Sequence, residues 1–139
     1  MDNLKHFLKI LTVVFLLTVT KSFGQSNGCD TVYSYVEVMP KYDKDIKGLS
    51  DYLMKELVPI IGDCIKRDTE IIASLIIILT IDSNGKVIGA TFPKHNLTSF
   101  CKDELKKKLL TMNGWTAGQK DGLPVCCEFN WPISCLKWE

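Results

Sequence analysis

Six cysteines in 139 residues, at positions 29, 64, 101, 126, 127 and 135, are the densest reactive chemistry in the chain. Thiolates hold zinc when they come as Cys-x-x-Cys pairs or beside several histidines. Neither pattern occurs here. Cys126 and Cys127 are adjacent, so in a strand their side chains point to opposite faces, which also excludes a thioredoxin-like pair. A nucleophilic triad needs a base oriented by a third group. His95 stands alone after Phe92-Pro93, in a loop, and the other histidine, His6, lies in the N-terminal apolar leader. No glycine-rich loop cradles a phosphate, and no spacing rule pairs two carboxylates as acid and base. The sequence therefore predicts no catalytic residue, no metal, no cofactor and no small-molecule substrate. Seventeen Lys+Arg against sixteen Asp+Glu leave a net charge of +1, too little field for nucleic acid.

What remains for the cysteines is stabilisation. Cys29, Cys64, Cys126 and Cys135 fall in loops or on an outer face and are the disulfide candidates. Cys101 and Cys127 fall on inner faces, where cysteine serves as a small hydrophobe. Disulfides need an oxidising compartment, and the N-terminus reads as the means of reaching one. Lys5 and Lys9 precede the apolar run to Val19, and Ser22-Phe23-Gly24 puts small residues at the −3 and −1 positions of a cleavage point before Gln25. The stretch Ile10 to Val19, apolar apart from Thr12 and Thr18, is short of the ~20 residues that span a bilayer. Residues 1–24 are thus expected to be a signal peptide, 25–31 a flexible N-terminus and 32–139 a single domain, exported to the periplasm or beyond. Cleavage removes three lysines and one aspartate and turns the net charge to −1.

The elements that position these residues follow from periodicity. Val32 to Val38 is a short strand or extended arm ended by Met39-Pro40. Ile46, Leu49, Leu53, Leu57 and Ile60 recur at helical spacing, and Pro59 is expected to end that helix. Ile71 to Ile81 carries six isoleucines and reads as a strand apolar on both faces, hence central. Asp82-Ser83-Asn84-Gly85 turns it into a second strand, Lys86 to Phe92. Thr98 or Ser99 caps a second helix to Met112, with Cys101, Leu105, Leu109 and Met112 inward. Gly118 to Gly122 makes a turn, and Leu123 to Trp131 is the last strand, with Val125, Cys127, Phe129 and Trp131 on one face. The order predicts an α+β fold: two helices packed on one face of a small three-stranded antiparallel sheet, with an N-terminal extended arm. Asn96-Leu97-Thr98 also fits the N-glycosylation acceptor pattern.

Three stretches, in order, resemble the TonB C-terminal domain family of the Bacteroidetes type. Val36-Glu37-Val38-Met39-Pro40 is similar to its Val-Glu-x-x-Pro, and Ile81-Asp82-Ser83-Asn84-Gly85-Lys86-Val87 to its Ile-Asp-x-x-Gly-x-Val hairpin. Trp115, Gly118, Gly122, Pro124 and Val125 carry the spacing of its Trp-x-x-Gly-x-x-x-Gly-x-Pro-Val turn, and Phe129, Pro132 and Ile133 its Phe-x-x-Pro-Ile ending. The Gly-Gly pair usual after the first motif and the Tyr-Pro after the first helix are missing. The resemblance implies a protein-binding module that pairs with the TonB box of outer-membrane transporters by strand addition. It puts the binding edge on the last strand: Val125, Cys126, Cys127, Glu128, Phe129 and Asn130. It also permits a homodimer by strand exchange. Two other readings compete: an energy transducer anchored in the inner membrane by a retained leader, and a small disulfide-stabilised secreted protein, structural or effector-like, that keeps only the fold.

Overall fold

The computed structural model describes residues 29–43, 45–68, 74–95 and 97–134. The isoleucine-rich run becomes β2 (Ser74–Ile81), the middle strand of a three-stranded sheet. Both neighbours, β3 (Val87–Lys94) and β7 (Cys127–Ser134), pair with it antiparallel. Alternation sends Leu75, Ile77, Leu79 and Ile81 into the core, all fully buried. The opposite face carries Ile76, Ile78 and Thr80, which are half-buried. Of the residues expected on β2, Ile71, Ile72 and Ala73 lie outside the described ones.

The hairpin turn is set by a single aspartate. Asp82 Oδ1 accepts the N–H groups of Asn84 and Lys86, both at 2.8 Å, while Gly85 takes φ +79°. A Cβ at Gly85 would stand 2.1 Å from the Trp115 carbonyl oxygen, so the turn also needs glycine to let the next segment approach.

Residues 45–68 form one continuous helix, α1, in three segments: Asp45–Tyr52, a π-helical Leu53–Leu57, and Val58–Asp68. Pro59 does not end it, contrary to expectation. A proline in a helix removes one amide and crowds the carbonyl four residues back. Here the turn just before it is already widened, with the Val58 N–H bonded to the Leu53 carbonyl. The run 66–68, expected in a loop, continues the helix. Leu57, Ile61 and Cys64 supply its buried face, whereas Ile46, expected inward, is 84% exposed. Helix α2 (Ser99–Leu110) begins under a Thr98 cap whose hydroxyl accepts the Cys101 N–H. Its Cys101, Leu105 and Leu109, with Met112 beyond it, are buried as their spacing predicts.

Four short strands in two pairs complete the described residues. β1 (Lys41–Tyr42) pairs with β4 (Trp115–Thr116), and β5 (Gly118–Lys120) with β6 (Leu123–Val125). The expected turn from Gly118 to Gly122 is narrower: only Asp121 and Gly122 turn, both at positive φ, as a two-residue hairpin requires. The expected single strand from Leu123 to Trp131 is broken at Cys126 and then runs further, to Ser134. The fold is α+β, two helices against one face of a three-stranded antiparallel sheet.

Candidate functional site

β7 forms one edge of the sheet and β3 the other. The two edges differ. β3 meets β2 with register shifts near both ends, whereas β7 pairs with β2 without a break over eight residues. An unbroken edge presents its outward N–H and C=O groups in the regular row that another strand can match.

The direction of those groups is fixed at Glu128. Its N–H points away from β2 and donates to the Tyr33 carbonyl at 2.9 Å. Alternation then turns the backbone of Asn130, Pro132 and Ser134 outward and that of Cys127, Phe129, Trp131 and Ile133 toward β2. Pro132 is tolerated mid-strand for this reason: its missing N–H falls on the outer side. The amide donors of the outer row are therefore Glu128, Asn130 and Ser134.

The arm occupies the first of them. Tyr33 forms a parallel bridge with Cys127, its N–H donating to the Cys126 carbonyl at 3.0 Å. Ser34 Oγ donates to Glu128 Oε2 at 2.8 Å, and the Lys120 ammonium lies 4.2 Å from the Tyr33 ring centre. The Cys29–Cys126 disulfide ties the start of the arm to the residue just before β7. Further along, Val36 is buried, Glu37 accepts the Asp121 N–H at 3.0 Å, and Val38 exchanges two backbone bonds with Gln119. No local pattern gives the arm a partner, since its contacts lie some eighty to ninety residues away along the chain. Alternation within β7 gave no sign that its edge was in use.

The predicted edge residues separate accordingly. Cys127, Glu128, Phe129 and Asn130 belong to β7, but Val125 belongs to the β5–β6 hairpin and Cys126 to the break between them. Cys127 and Phe129 face the core, and Phe129 meets the Trp115 ring edge-on with centroids 4.8 Å apart. Asn130 is exposed.

Among the cysteines, Cys29 and Cys126 are bonded as candidates, while the second bridge joins Cys64 to Cys101. Cys101 is thus buried as expected, yet it is not a free hydrophobe. Cys64 lies on the inner face of α1 rather than in a loop, directly opposite it. Cys127 keeps a free thiol, which burial pushes above its ordinary pKa of 9.0 despite a hydrogen bond with the Gly118 backbone. Cys135 and Asn96 lie outside the described residues.

An open cleft of about 300 Å³ lies between α1, the end of β1 and the Asn113-Gly114 turn. Tyr42, Asp43, Asp51, Tyr52, Lys55 and Glu56 line it. Its acids and bases are mixed, Glu56 is paired with Lys108, and no nucleophile meets a base there. Burial raises the pKa of both Tyr42 and Tyr52 above 10.0. Among the described residues no three of His, Cys, Asp and Glu gather to hold a metal, and no helix is long and apolar enough to cross a membrane.

Comparison with known protein families, with curated proteins and with solved structures returned no match to this chain in any of the three.

Proposed function

We propose that this chain is an exported protein-binding module of the TonB C-terminal type that takes an extended segment of an outer-membrane transporter as an added strand along β7. The observation that carries the reading is the outer row of β7, an edge paired to β2 without a break, whose Glu128 N–H already donates to a strand-like neighbour. Convergence of the motif residues supports it. Gly85 of the hairpin motif lies against Trp115 of the third, and Gly118 lies against Val36 of the first. Main-chain pairing supplies affinity, and side chains alternating along the added strand supply selectivity. The two disulfides agree with an oxidising compartment, and Gln25 is the proposed mature N-terminus.

Affinity capture from the native outer membrane, with and without a dithiol reductant, tests the reading. Transporters recovered by the chain and lost with Asn130→Pro support it. Recovery of no transporter in either condition refutes it. The same disulfides favour a second reading, a secreted protein that keeps the fold for stability alone; it predicts no affinity for any TonB-box peptide.

A further inference from the structure

Along the outer edge of β7, hydrogen-bond donors are scarce. Pro132 has none, so between Cys127 and Ile133 only Glu128 and Asn130 can donate outward. The arm takes one of the two. A partner strand that pairs along this edge must therefore contend with Tyr33 for the Glu128 N–H. That contest is unequal, because the arm is tethered on both sides of the contact. Upstream, Cys29 is bonded to Cys126, with their Cα atoms 5.9 Å apart. Downstream, buried Val36 and the Val38–Gln119 pair hold it. A segment confined between two such anchors acts at an effective concentration on the order of millimolar, far above that of most free partners.

We propose that residues 29–34 are an internal strand mimic that blocks the β7 edge, and that the Cys29–Cys126 disulfide is the latch. The inference rests on the strand-addition reading and names its regulation. Opening the latch is a thiol–disulfide exchange: a dithiol reductant attacks one sulfur, gives up two electrons and two protons, and leaves as its own disulfide. Cys29 and Cys126 emerge as thiols. The two bridges are unequally accessible. Cys29 and Cys126 are both partly exposed, whereas Cys64 and Cys101 are 4% and 1% exposed in the core. Reductant therefore reaches the latch first. With the upstream anchor gone, the arm stays held at Val36, but Tyr33 and Ser34 are free to leave the edge.

The test uses the full chain carrying Cys29→Ser and Cys126→Ser, with two readouts. In amide exchange, the Glu128 N–H should lose protection by about tenfold or more relative to the oxidised chain, while the β2-paired Phe129 and Trp131 amides stay as they were. In binding, a fluorescent peptide copying residues 30–38 should bind the variant at least about tenfold more tightly than it binds the oxidised chain. Unchanged protection at Glu128, or equal peptide binding to both chains, overturns the latch. If the double variant fails to fold, the native chain under graded dithiol serves instead, with mass spectrometry verifying that the Cys64–Cys101 bond is intact. Should the latch open and the arm peptide bind while no transporter does, the latch stands and the transporter reading falls.

Discussion

Gly118 lies flat against Cys127: a Cβ added at 118 would fall 2.5 Å from the Cys127 Sγ. The same added atom would meet a Val36 methyl at 3.0 Å and the Val38 carbonyl oxygen at 3.1 Å. One position thus joins the arm, the β5 strand and the start of β7, so the absence of a side chain at 118 lets the arm reach the edge. Gly118→Ala should destabilise the chain by about 1–3 kcal/mol, read by urea unfolding. Adding Cys127→Ala should restore part of that loss, because the sulfur contact goes while the Val36 and Val38 contacts stay. No recovery would mean the clash lies wholly with the arm.

Asp82 organises the β2–β3 turn through two accepted N–H bonds. Asp82→Ala should cost about 1–2 kcal/mol and Asp82→Asn less, since an amide oxygen can still accept. Urea midpoints of the two variants check the order.

The buried Cys64–Cys101 bond closes a 37-residue separation between the two helices. Its removal as Cys64→Ala/Cys101→Ala should cost about 3–4 kcal/mol. In the oxidised native chain, Cys127 should resist alkylation at pH 8 and react promptly once the chain is unfolded, because burial both shields the thiol and keeps it protonated. Mass spectrometry of the alkylated protein reads both states.

Tyr52 is half-buried, donates its hydroxyl proton to the Lys108 carbonyl at 3.1 Å, and has its pKa raised above 10.0 chiefly by burial. A raised acid pKa in the folded state means that its stabilising contribution is complete below pH 10 and is lost as pH rises through the folded value. Stability should therefore decline above pH 10, and Tyr52→Phe should flatten that decline while costing about 1 kcal/mol at neutral pH. A decline of equal slope in Tyr52→Phe would assign it to other groups.

Local signals in the sequence carried much of this fold. Asp82 through Gly85 announced the hairpin, and Cys101, Leu105, Leu109 and Met112 announced the inner face of α2, because turn chemistry and helical period act within a few residues. What was hidden involves distant parts of the chain or a local exception. Pro59 reads as a stop unless the preceding π turn is seen. The break at Cys126 separates two strands that look like one, since Leu123 to Val125 finds its partner in β5 rather than β2. Cys29 and Cys126 lie 97 residues apart, and nothing local to either names the other. The candidate edge was legible as a strand but not as an occupied one, because occupancy depends on where Tyr33 comes to rest.

Strand addition at β7 is tested most directly by residue-resolved amide exchange of the Cys29→Ser/Cys126→Ser chain with a TonB-box peptide added to saturation. The outward amides of Glu128 and Asn130 should gain protection together while those of Phe129 and Trp131, already paired to β2, do not change. Protection that appears along β3 instead, or a saturating peptide that leaves Glu128 and Asn130 exchanging as before, would contradict strand addition at β7.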